Sequence, residues 1–150
     1  MTAETTEVLK GDKPQPQKTP FDFLAEIPGA PSKEIVLAWK AQVPNSRVRL
    51  VAPEGGTGRV YIMRAVGALE YDQLLGRIPA NANERAVAEE ERRQVASTCC
   101  LWTNSISGNK LTPEALQAGA AGTAAMLYTV VMELSDFVEP ARLELLSIDL

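Results

Sequence analysis

"RLVAPEGGTGRVYIMR", residues 49–64, places Pro53, Gly55, Gly56 and Gly58 between two runs rich in β-branched and aromatic residues. The stretch has two readings: a loop that cradles phosphate, which leads to an enzyme, or the tip of a hairpin. A Walker-type loop needs glycine, four residues, glycine, then lysine and a serine or threonine opening a helix, because loop amides and lysine must converge on the phosphates. Here arginine and valine follow the last glycine, and the β-forming run "RVYIMR" stands where the helix would start. The glycines instead supply the positive backbone dihedrals of a longer hairpin turn. Upstream, "RVRLVA" alternates basic and apolar residues, so the two runs pair as an antiparallel hairpin over about residues 47–64.

Downstream the periodicity turns helical. "LEYDQLLGRI" puts Tyr71 and Leu75 on one face with Ala68, flanked by Leu74 and Ile78, and Gly76 lies near the stop. Glu84 to Trp102 is expected to form one helix, with Asn81 and Glu84 in capping-box spacing and Val87, Val95, Cys99 and Trp102 in a stripe. Within it "EEERR", Glu89 to Arg93, reads as a solvated face with ion pairs, because adjacent helical residues point about 100° apart and the carboxylates do not converge. Thr112, Pro113 and Glu114 give a strong start to a helix expected to reach about Leu134.

That last helix contains "ALQAGAAGTAAMLYTVVM", an 18-residue run that approaches the length of a membrane span. Its first half is alanine and glycine, which contribute little insertion energy, and no basic cluster flanks it. A central buried helix is the better reading, with Ala118, Gly119, Gly122 and Ala125 as a flat surface for another helix. The tail beyond it, with Phe137, Val138, Leu143, Leu145, Leu146, Ile148 and Leu150, is apolar enough to be tucked against something.

Before the hairpin, "SKEIVLAWKAQ" reads as a short helix capped by Ser32, with Ile35, Ala38 and Trp39 sharing a face and Pro44 barring continuation. Residues 1–31 hold five of the ten prolines and little aliphatic content before "FDFLAEIPGAP". Such composition favours an extended, polyproline-like arm. Phe21, Phe23, Leu24 and Ile27 at its end are expected to dock, either on the chain's own core or in a partner's groove.

Composition removes several function classes. The 150 residues carry a net charge of -4, with basic residues scattered rather than gathered on one face, so nucleic acid is not expected as a partner. Histidine is absent, which removes the commonest general base and metal ligand. The only cysteines, Cys99 and Cys100, are adjacent, whereas metal and redox pairs are usually spaced by two residues, so both read as reduced and buried. "MTAETTEVLKGDK" lacks the basic-then-apolar pattern of a signal peptide, so the chain is expected to stay where it is made.

The expected fold is α+β, mainly α: an extended arm over residues 1–31, then a single domain over residues 32–150 in which one antiparallel hairpin packs with about three to five helices. In order along the chain, "AWKAQ" (Ala38 to Gln42), "YIMR" (Tyr61 to Arg64), "LEYDQL" (Leu69 to Leu74), an acidic helix leading to "CCLW" (Cys99 to Trp102), a helix start holding Leu116 and Gly119, and "SDF" (Ser135 to Phe137) cover residues 38–137. This succession resembles a family of small tailed-bacteriophage proteins described as tail assembly chaperones or minor tail and baseplate components. The chain departs from that pattern at Thr103 and Asp136, where the family has proline and glycine.

The resemblance implies a non-enzymatic protein of phage tail biology, present in the host cytoplasm during assembly or retained in the virion tail. Its partners would be other tail or baseplate proteins, or a second copy. No catalytic residue, cofactor or metal is assigned, and neither nucleic acid nor membrane is expected. Partner contact is assigned to Phe21, Phe23, Leu24, Ile27, Gly119, Gly122, Leu146, Ile148 and Leu150. The competing expectation is a nucleotide-binding or enzymatic protein using the loop Gly55 to Gly58.

Overall fold

The computed structural model describes residues 20–52, 58–79, 83–137 and 146–150. Strands β1 (Val48–Ala52) and β2 (Tyr61–Arg64) form the expected antiparallel pair, Val48 opposite Arg64 and Val51 opposite Tyr61. Gly58 leaves the turn at φ 82°, where a side chain would be strained. Gly55 and Gly56 lie outside the described residues. The pair is the centre of a larger antiparallel sheet. Strand β3 (Cys100–Thr103) adds to β2 and β4 (Leu146–Asp149) to β1, giving the order β3-β2-β1-β4.

Period-two alternation sends Val48, Leu50, Ala52, Val60 and Ile62 to one face and Val51, Tyr61 and Met63 to the other. A 3-10 helix (Pro20–Glu26) and helix α1 (Lys33–Gln42) cover the first face, with Leu24, Ile27 and Val36 in its core. Helices α2 (Ala68–Gly76), α3 (Glu84–Thr98), α4 (Pro113–Ala118) and α5 (Ala121–Leu134) lie on the second, contributing Leu74, Val95, Leu116, Leu127, Val130 and Val131. The architecture is α+β and mainly helical, with a sheet between two apolar cores. Leu50 and Ile62 on one side and Met63 on the other are fully enclosed, and burying each contributes about 1.5–3 kcal/mol.

The structure corrects several expectations. The expected boundary between arm and domain at residue 31 gives way: Leu24 and Ile27 are 6% and 5% exposed in the first core and Pro31 is buried, so the domain includes residues from Pro20. Residues 1–19 lie outside the described residues. The helix from Glu84 ends at Thr98, not Trp102, and its N-cap is Asn83, whose Oδ1 accepts from Ala86 N at 2.8 Å; Asn81 lies outside the described residues. The Cys99 carbonyl accepts from Arg64 N at 2.9 Å, so the chain passes directly onto the free edge of β2 and "CLWT" becomes a strand.

The helix from Pro113 is two helices. Gly119 adopts φ -85°, ψ -167°, and its N–H closes α4 on the carbonyls of Ala115 and Leu116 at 3.1 and 3.3 Å. Alanine and glycine bury too little there to hold the chain in one helix. Only the second half of α5 is central, with Leu127, Val130 and Val131 at 0% exposure, and no described helix is long and apolar enough to cross a membrane. In α1, Val36 rather than Ile35 and Ala38 meets the sheet.

The C-terminal segment is likewise held by its own domain. Arg49 lies opposite Asp149 in the β1–β4 register, Leu150 N donates to the Val48 carbonyl at 2.8 Å, and Lys40 Nζ donates to the Leu150 main-chain oxygen at 2.5 Å.

Candidate interaction sites

The residues assigned to partner contact divide by what covers them. Leu24 and Ile27 are core residues of this chain, and Ile148 and Leu150 are partly buried against the same cluster. Of the two expected docking surfaces, Leu24 and Ile27 take the chain's own sheet. Leu146 has its backbone in β4, while its side chain and that of Phe21 lie outside the described residues. Phe23 is 37% exposed. Gly119 and Gly122 are exposed; a Cβ at Gly122 would meet nothing within 4 Å, so among the described residues no helix approaches it closely.

Further apolar exposure lies outside the assigned residues. Ile35 and Leu37 on α1 are 37% and 44% exposed beside the buried Val36, and Leu69 and Phe137 are 71% and 53% exposed. The signal for the α1 pair was present: five consecutive apolar residues, Ile35 to Trp39, wrap the whole circumference of a helix, so some must face outward when one side meets a sheet. Phe137 rests on Tyr71, with ring centroids 5.1 Å apart.

A cleft of about 710 Å³ lies between the α1–β1 connection, the β2–α2 connection and the end of α5. Arg64 forks onto Glu70, Nη1 to Oε1 at 2.7 Å and Nη2 to Oε2 at 2.9 Å. The hydrogen bond from Arg64 holds the Glu70 carboxyl below its ordinary range, and the same bond raises Arg64. Val66 N donates to Ser135 Oγ at 2.9 Å and Ala65 N to Ser46 Oγ at 3.0 Å. With cation matched to carboxylate and hydroxyl to amide, this cleft fastens the β2–α2 junction to the end of α5.

The end of α5 is a Schellman turn: Phe137 N donates to the Met132 carbonyl at 3.0 Å and Asp136 N to that of Glu133 at 3.2 Å. Asp136 sits at φ 63°, the left-handed conformation that glycine adopts without penalty. Asp136→Gly is expected to raise stability by about 1 kcal/mol, measured by urea denaturation. The ion pair it removes, Arg47 to Asp136 at 3.6 Å, is 51% and 89% exposed and contributes little. A lower midpoint would show that the aspartate side chain matters more than its backbone strain.

The acidic helix α3 is not wholly solvated. Glu91 accepts from Tyr71 at 3.1 Å and from Tyr128, joining α2, α3 and α5. Burial first, then the adjacent carboxylate, raises both phenols above their ordinary values. Cys99 and Cys100 are free and buried, and burial pushes each thiol up to about 12, which leaves almost no reactive thiolate at neutral pH. Among the described residues no group of three or more acidic or sulfur side chains is placed to hold a metal ion. No known protein family, curated protein or solved structure matches the chain.

Proposed function

We propose that this chain is a non-enzymatic protein of tailed bacteriophages, a minor tail or baseplate component or a tail assembly chaperone, working through contacts with other tail proteins. The observation that carries contact as the mode of action is the outward face of α1, where Ile35 and Leu37 stay exposed although Val36 between them is buried. Support for the phage reading comes from the order of the quoted segments and from Asp136. The family pattern has glycine at that position, and the left-handed φ of 63° is the backbone demand that glycine meets.

The experiment is removal of the coding sequence from the phage that carries it. Lysates are expected to lack complete tails in electron micrographs, with recovery on supplying the wild-type chain. The double variant Ile35→Lys, Leu37→Lys is expected to fold with a thermal midpoint within about 2 °C of wild type and to fail in recovery. Normal tails without the gene overturn the proposal. Mass spectrometry of purified virions separates a retained component, located in the tail, from a chaperone confined to the host cytoplasm. Saturable quenching of Trp39 or Trp102 fluorescence by a nucleotide would instead favour the nucleotide-binding alternative.

A further inference from the structure

The sheet has two outer strands, and the chain treats their edges differently. On β3, Thr103 N donates to the Asn109 carbonyl at 3.1 Å and the Thr103 carbonyl accepts from Asn109 Nδ2 at 2.8 Å, so the chain's own turn closes that edge. On β4, Leu150 N donates to the Val48 carbonyl, and hydrogen-bonded pairs alternate along an antiparallel ladder, so Ile148 and Leu146 also turn their main-chain groups toward β1. The main-chain groups of Ser147 and Asp149 therefore face outward, and among the described residues nothing bonds them.

An open ladder edge is a template for another strand, and sheets commonly blunt it with lysine, proline or a bulge. Residues 146–150, "LSIDL", hold neither lysine nor proline, and the β1–β4 register runs without a shift from Arg49–Asp149 to Ala52–Leu146. The run is also symmetrical in polarity about Ile148. A two-fold axis at that residue sets Ile148 beside its counterpart, position 146 opposite 150 and position 147 opposite 149. Apolar positions then share one face, and serine rather than a second carboxylate stands opposite aspartate. Each pairing of Ser147 with Asp149 exchanges both its N–H···O bonds, which satisfies the outward main-chain groups of both copies.

We propose that the outer edge of β4 binds a second copy of this chain, the two β4 strands pairing antiparallel about a two-fold axis at Ile148 and joining two four-stranded sheets into one. The second copy is the occupant because the edge is complementary to itself in this register, in hydrogen bonding, polarity and charge together. Ile148 and Leu150 are only partly buried against this chain's first core, and their counterparts add cover. The Asp149 side chain is 66% exposed and held by Arg49, so its carboxylate stays in water at the junction. The pairing uses no side chain from the exposed face of α1, so it is separate from the contact surface proposed above.

Sedimentation equilibrium of the full chain is expected to show a monomer–dimer equilibrium with a Kd on the order of 100 µM, since one short strand pair buries less than a standard interface. Amide hydrogen exchange at Ser147 and Asp149 is expected to slow with protein concentration more than at Ile148 and Leu150, which already bond to β1. Ser147→Pro removes an N–H that the monomer does not use, and is expected to abolish the dimer while the monomer stays folded. Ser147→Glu brings a carboxylate opposite Asp149 of the second copy and is expected to weaken Kd about three- to tenfold; Ser147→Lys is expected to tighten it by a similar factor. Gln117→Lys on α4 controls for net charge and is expected to leave Kd unchanged, as is Ile35→Lys with Leu37→Lys. The glutamate and lysine pair keeps the test decisive if the proline variant does not fold. The proposal is overturned by a chain that stays monomeric at about 1 mM, or by a dimer in which exchange at Ser147 and Asp149 is unchanged. It is equally overturned if Ser147→Glu and Ser147→Lys shift Kd in the same direction, or if the α1 variant abolishes the dimer.

Discussion

Gly29→Ala is expected to destabilise the whole domain by about 2–4 kcal/mol, the sum of a left-handed backbone penalty and lost hydrogen bonding. Gly29 sits at φ 81°, and a Cβ there would overlap the Gly58 carbonyl and lie 2.5 Å from Asn104 Nδ2. Asn104 is what that overlap disturbs. Its Nδ2 donates to the carbonyls of Gly29 at 3.1 Å and Gly58 at 2.5 Å, while its Oδ1 accepts from Val60 N at 2.8 Å. One side chain thus ties the N-terminal segment to the start of β2 and the end of β3. Moving Gly29 away also pulls on Leu24 and Ile27, which close the first core. Urea denaturation measures the effect, with Gly76→Ala as the control, since a Cβ at Gly76 meets nothing within 4 Å. A Gly29→Ala midpoint equal to wild type would show that residues 20–31 do not pack on the sheet as described.

The same segment shows where sequence reasoning reached and where it stopped. Residues 48–64 declared themselves because strand alternation and glycine spacing are local signals. Leu24 and Ile27 were visible as apolar residues that must dock, but apolarity does not name the surface that receives them, and here it is the chain's own sheet. "CLWT" was hidden because the stripe of Val95 and Cys99 continues smoothly into it, and only the free edge of β2 makes it a strand. β4 was hidden for the same reason, since its partner lies far away in sequence.

Arg49 is a basic position in the alternating run "RVRL", and its side chain is 11% exposed while Glu133 on α5 is only 2% exposed. Its Nη1 donates to Glu133 Oε2 at 2.7 Å and its Nε to Asp149 Oδ1 at 2.5 Å. Burial works against the guanidinium charge, but the hydrogen bonds to Asp149 and Glu133 outweigh it and raise its pKa. Arg49→Met is therefore expected to cost about 3–5 kcal/mol, because it leaves the Glu133 charge buried without this cation. Arg49→Met combined with Glu133→Leu is expected to return to within about 1 kcal/mol of wild type, since an apolar pair of similar volume removes both desolvation costs. Asp149→Asn is expected to cost less than about 1 kcal/mol, its side chain being 66% exposed. Denaturation of wild type, Arg49→Met, Glu133→Leu and the double variant in a double-mutant cycle gives the coupling, and a loss below about 1 kcal/mol for Arg49→Met alone would mean that the carboxylate does not depend on the guanidinium. The two halves of the network separate by hydrogen exchange. In the double variant global stability recovers, but β4 still lacks its tie from Arg49 to Asp149, so the Leu150 amide, bonded to Val48 at 2.8 Å, should exchange faster than in wild type. Equal protection there would show that β4 is held by its backbone ladder and Lys40 alone.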